Sequence, residues 1–137
     1  MASPKTEPLH RPPSQRRWTV VEAAQLAGLR AQLRHLASVW ALPDDCVDAL
    51  VMIVNELVCN AIDHARTACE VTVRHTASLV RVLVSDGSTV PPRIPPHDVT
   101  APRGRGLQMV KALADRWGWT ARHHGKTVWA AVNCGEA

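Results

Sequence analysis

Glu56, Asn60 and His64 set a carboxylate, a carboxamide and an imidazole four residues apart in the stretch Val54-Asn55-Glu56-Leu57-Val58-Cys59-Asn60-Ala61-Ile62-Asp63-His64. Around them Val47, Leu50, Val51, Val54, Leu57, Val58, Ala61 and Ala65 recur at three- and four-residue steps, which predicts a helix with one buried apolar stripe. At about 100° per residue Glu56 lies nearly opposite Val54 and Val58, so the polar row can face a cleft while the apolar row packs. A neutral amide oxygen is a suitable hard ligand for Mg²⁺, and a carboxylate one turn away can take a proton from an attacking hydroxyl. Two further features join them. Asp86 closes an apolar run, where a carboxylate can accept a hydrogen bond from an exocyclic amine. Gly104-Arg105-Gly106 opens a helical pattern whose N-terminus would meet phosphate.

Other elements must bring these groups together. Arg17 to Val20 has strand character, and a helical pattern follows from Glu22 to Ala41 with Leu26, Leu29, Leu33 and Leu36 on one side. Pro43 separates it from the helix carrying Glu56, whose first turn is rich in aspartate (Asp44, Asp45, Asp48) and which ends near Ala65. Glu70–His75 and Leu79–Ser85 read as a hairpin. From Ser88 to Arg103 the prolines Pro91, Pro92, Pro95, Pro96 and Pro102 exclude a helix and disfavour a central strand, leaving a loop long enough to act as a lid. A helix from Gly104 to Trp117 follows, then strands at Trp119–His123 and Thr127–Asn133.

Composition narrows the classes. A chain of 137 residues fits one domain. No run approaches the roughly 18 apolar residues of a membrane span, and the start lacks the apolar segment of a secretory signal, so a cytoplasmic location is expected. The net charge is +4. Most of that excess falls in residues 1–17, where Lys5, Arg11, Arg16 and Arg17 stand against Glu7, and residues 1–15 read as a disordered basic, Pro-rich leader. No direct nucleic-acid contact is expected of it, and the five tryptophans read mainly as core. Cys46, Cys59, Cys69 and Cys134 have no C-x-x-C spacing and read as reduced thiols.

Asn55-Glu56 through Asn60 to His64, Val84-Ser85-Asp86-Gly87-Ser88 and Gly104-Arg105-Gly106-Leu107 together resemble the N box and the two glycine boxes of the GHKL (Bergerat-fold) ATPase superfamily, shared by gyrase and sensor histidine kinases. The small size, and the ending Gly125-Lys126-Thr127-Val128-Trp129-Ala130, are similar to its anti-sigma-factor serine/threonine-kinase branch. The resemblance covers residues 16 to 134. It implies an α+β two-layer sandwich, a mixed, mostly antiparallel sheet with helices on one face, in a domain spanning 16–137 with a lid at 87–104. It further implies ATP and Mg²⁺ as cofactors, with Glu56 as general base and Asn60 holding Mg²⁺. Asp86 would recognise adenine, and Ser88, Gly104, Arg105, Gly106 and Leu107 would line the nucleotide.

The implied activity is an anti-sigma factor that sequesters an alternative sigma factor and phosphorylates a serine on an anti-anti-sigma partner with a STAS domain, with a possible homodimer and no membrane contact. One departure stands out. The family pattern puts glycines two and four residues after the aspartate, and here those positions are Ser88 and Val90. They favour an alternative, a protein-binding regulator of the same fold that does not turn over ATP. A detached sensor-kinase catalytic domain fits less well, because no phosphoacceptor helix is present.

Overall fold

The computed structural model describes residues 13–65, 67–92 and 106–135. Its elements are β1 (Gln15–Val20), a 3-10 turn (Ala23–Gln25), α1 (Leu26–Val39), α2 (Asp44–Asn60), a π-helical turn (Ala61–Ala65), β2 (Cys69–Thr76), β3 (Leu79–Asp86), α3 (Gly106–Leu113), β4 (Arg116–Arg122) and β5 (Gly125–Asn133). The sheet runs β1-β2-β3-β5-β4. Every neighbouring pair is antiparallel, so the expected mixed sheet is antiparallel throughout the described residues. With helices on one face, the α+β two-layer expectation holds.

Alternation decides which face is covered. Val71 and Val73 on β2, Val80, Val82 and Val84 on β3, and Val128, Ala130 and Val132 on β5 are buried and share one face through their pairing. Against them pack Leu29 and Leu33 of α1, Leu50, Ile53, Val54, Leu57 and Val58 of α2, and Leu107 and Val110 of α3. The apolar stripe read from the sequence is therefore the core contact of α2.

Several boundaries differ from the sequence reading. The first helix is preceded by a 3-10 turn fastened by a capping box, in which the Gln25 side chain accepts from the backbone N–H groups of Val21 and Glu22. Asp48 lies beyond the first turn of α2 and meets Arg34 of α1 at 3.3 Å, both exposed. Helix α3 stops at Leu113 and β4 begins at Arg116, so Trp117 is a strand residue. Its pairing with Ala130 of the interior strand β5 overrides the local helical periodicity.

The cysteine expectation is corrected. Cys46, in the first turn of α2, and Cys134, just past β5, form a disulfide with Cα atoms 5.8 Å apart. Their separation of 88 residues hides the pair from any reading of spacing, and such bonds are uncommon in a reducing cytosol. Cys59 and Cys69 are free. The tryptophans also divide. Trp18, Trp40 and Trp117 pack against the core, whereas Trp119 is 38% exposed and Trp129 lies half-buried outside it.

Candidate nucleotide site

Glu56 and Asn60 sit one turn apart at the end of α2, half-buried where the apolar stripe beside them is closed. The helix then widens into the π-helical turn that contains His64, a single-turn irregularity often found at functional sites. Arg30 of α1 donates to the Asn55 carboxamide oxygen at 2.7 Å, and the same carboxamide donates toward Glu56 Oε2 at 3.4 Å. Asn55 thus bridges the guanidinium and the carboxylate proposed as base. The field of this cluster reaches Cys59. Burial pushes its thiol above the ordinary range, Glu56 and Asp63 push further, and Arg30 opposes them.

Asp86 ends β3 and is the most tightly held group at this end of the sheet. Its carboxylate meets Lys126 Nζ of β5 at 3.1 Å and accepts from the Ser88 N–H at 2.8 Å. The side chains of Lys126 and Asp86 are only 7% and 3% exposed. Close approach of β3 and β5 requires glycine at position 125, since a Cβ there would overlap the Asp86 carbonyl. Next to the pair, Ser85 and Thr127 hydroxyls hydrogen-bond at 2.7 Å. Ser88 is drawn into the turn after Asp86, where its hydroxyl accepts from the Val90 N–H at 3.1 Å.

The two halves meet through the segment after the π-helical turn. Gly87 N–H donates to the Thr67 hydroxyl at 3.1 Å, joining the turn after β3 to the chain leaving α2. Cys69, at the start of β2, feels the same carboxylate. Burial first and Asp86 second push its thiol up to about 11 from 9.0. A group raised in the folded state favours folding fully below its unfolded value, so this contribution is present below pH 9.0 and disappears as pH rises through about 11.

Of the residues singled out in the sequence, Glu56 and Asn60 lie on the end of α2 that leads to Asp86 and Ser88. Gly106 opens α3, which packs on α2. The Leu107 side chain is core, 2% exposed, which leaves its N–H as the group available to a phosphate. Gly104, Arg105 and most of the expected lid lie outside the described residues. Sequence reading missed Lys126, Gly125 and the Arg30–Asn55 bridge. The first two stand beside Asp86 only through the β3–β5 register, which no local pattern discloses.

These residues fit an adenine nucleotide with Mg²⁺. A carboxylate offers about four lone-pair directions, but the Asp86 side chain is buried against Lys126 and Ser88, so an exocyclic amine reaches it only where Lys126 gives way. Among the described residues no three His, Cys, Asp or Glu side chains form a metal-sized cluster.

The sequence profile of the histidine kinase-like ATPase domain matches residues 19–132. No curated protein matches the chain. Among solved structures, that of the RsbU and RsbW domains of Rv1364c from Mycobacterium tuberculosis superposes with a TM-score of 0.67 at 19% identity, covering 87% of this chain and 31% of that one. This likeness shows the fold, and the chain spans under a third of the matched protein. No helix among the described residues is long and apolar enough to cross a membrane. The profile match extends over most of the sequence and takes in Glu56, Asn60, Asp86 and Lys126, and the chain belongs to the histidine kinase-like ATPase domain family.

Proposed function

We propose that this protein is an ATP-dependent serine kinase and anti-sigma factor, which sequesters an alternative sigma factor and phosphorylates a STAS-domain anti-anti-sigma partner. The observation that carries the reading is the tie between the turn after Asp86 and the chain leaving the Glu56–Asn60 helix, through Gly87 and Thr67. It ties the turn that follows Asp86 to the segment that follows Glu56 and Asn60, which is the convergence this reading needs. The matched structure contains an RsbW domain, which supports the same branch.

In this reading Asp86 accepts from the adenine amine, the N–H groups at the start of α3 meet phosphate, and Asn60 holds Mg²⁺. Bound ATP supplies the phosphoryl group for in-line transfer. Glu56, oriented by Asn55 and Arg30, takes the proton of the attacking serine hydroxyl. Glu56→Ala should abolish phosphotransfer to a STAS-domain protein while the melting temperature stays within a few degrees. Unchanged phosphorylation would remove Glu56 from the mechanism.

A second reading keeps the fold and drops turnover. It is favoured by the Asp86–Lys126 ion pair, which occupies the carboxylate that adenine would use, and by Ser88 and Val90 in place of glycines. Titration calorimetry separates the two. ATP–Mg²⁺ binding that tightens in Lys126→Met supports the kinase, and absence of binding in both proteins supports the non-catalytic regulator.

A further inference from the structure

The sheet face turned away from the helices carries a charge pattern that the nucleotide site does not use. Pairing places Gln15, Arg74, Arg81, Ala131 and Arg116 along one rung across all five strands. Arg74 and Arg81 are directly opposite one another, an arrangement that destabilises a sheet unless an anion sits between or above the two charges. Arg74 donates to Gln15 at 3.0 Å. Among the described residues, none of these rung arginines has a carboxylate partner. On the same strand Glu70 lies two rungs from Arg74, and Asp115, just before Arg116, accepts from the Asn133 N–H at 2.6 Å.

The adjoining rung runs Arg17, Thr72, Leu83, Trp129 and Gly118. A Cβ added at Gly118 would meet the Trp129 ring at 2.8 Å. The indole therefore leans over β4 in the space above the glycine, and Trp129 is half-buried. Among the described residues, no helix covers this side.

We infer that this outer face binds single-stranded nucleic acid, with a base stacked on Trp129 and the phosphates lying along Arg74, Arg81, Arg116 and Arg17. A flat aromatic on an open sheet flanked by arginines is the physical requirement for such binding. Two copies of the chain set face to face would oppose arginine with arginine, so a self-interface is disfavoured. The binding reverses the expectation drawn from the leader, and it is independent of the nucleotide site.

The test uses the full chain and a fluorescent oligothymidylate of about a dozen nucleotides. Anisotropy is followed from about 50 to 200 mM salt. Four phosphate contacts give a slope of log affinity against log salt near about −3, and each arginine replaced by glutamine should reduce it by about 0.7. Arg74→Gln with Arg81→Gln removes a repulsive pair, so folding is retained or improved and lost binding is interpretable. Trp129→Leu should weaken binding at least about five-fold, with Trp129→Phe restoring most of it. Absence of binding at low salt overturns the inference. So does binding that the arginine substitutions leave unchanged, which would trace to the leader. Stronger competition by a polyglutamate peptide than by the oligonucleotide would assign the face to an acidic polypeptide and overturn it as well.

Discussion

The two ends of α2 are built in opposite ways. At its start, Asp44 and Asp45 complement the helix dipole and Cys46 is bonded to Cys134, so the end is fixed by charge and by a covalent link. At its finish the regular helix, with Glu56 and Asn60 half-buried, gives way to the π-helical turn, and the chain beyond it is tied by the Thr67 hydroxyl to Gly87, next to the buried Asp86–Lys126 ion pair. One helix thus joins an end fixed by a covalent link to an end held by hydrogen bonds and a buried ion pair.

Breaking the anchor should have the largest effect. Closing a loop of 88 residues gives about 4–5 kcal/mol by chain entropy. Cys134→Ser, or a reductant, should lower the urea midpoint accordingly while leaving nucleotide affinity in the folded protein nearly unchanged. A parallel loss of affinity would show that the two ends are coupled.

At the other end, Asp86→Leu alone should cost about 3–5 kcal/mol, because it strands a buried lysine. Asp86→Leu combined with Lys126→Met should recover most of that in urea unfolding. If the double variant is as unstable as the single, the ion pair is not the source of the loss.

A smaller change sharpens the picture around Glu56. Arg30→Ala removes a charge-assisted bond of about 1.5–3 kcal/mol and the one influence that lowers the Cys59 pKa. The Cys59 thiol should then rise further, and its alkylation at fixed pH should slow, as mass spectrometry after timed iodoacetamide exposure would show. Faster alkylation would mean that the helix end had opened instead.

The smallest expected effect is at the anchored end. Ala77 in the β2–β3 turn has φ 55°, the left-handed region where a side chain costs about 1 kcal/mol relative to glycine. Ala77→Gly should raise stability by about that amount in thermal unfolding.

Much of this division was legible in the chain itself. The three- and four-residue recurrence of Val54, Leu57 and Val58 located α2 and the side it buries, because a helix must hide its apolar stripe. Alternation in Glu70–His75 and Leu79–Ser85 located the central hairpin for the corresponding reason. Asp86 was visible as a carboxylate ending an apolar strand. What surrounds it was not, since Lys126 lies 40 residues away and becomes its neighbour only through strand register. The disulfide was hidden in the same way. That Trp129 stands outside the core was not legible, because alternation gives two faces without saying which one the helices cover.

Strand order carries a last consequence. β5 follows β4 in the chain yet sits between β3 and β4. A growing polypeptide that has not delivered residues 125–133 can pair β1 with β2 and β2 with β3, but β3 is left with a bare, valine-rich edge of the kind that recruits foreign strands. The same late segment supplies Lys126, so the Asp86 carboxylate waits unneutralised until β5 docks. The domain therefore closes in one late step, and truncation just before Gly125 should yield an aggregating fragment rather than a smaller folded protein.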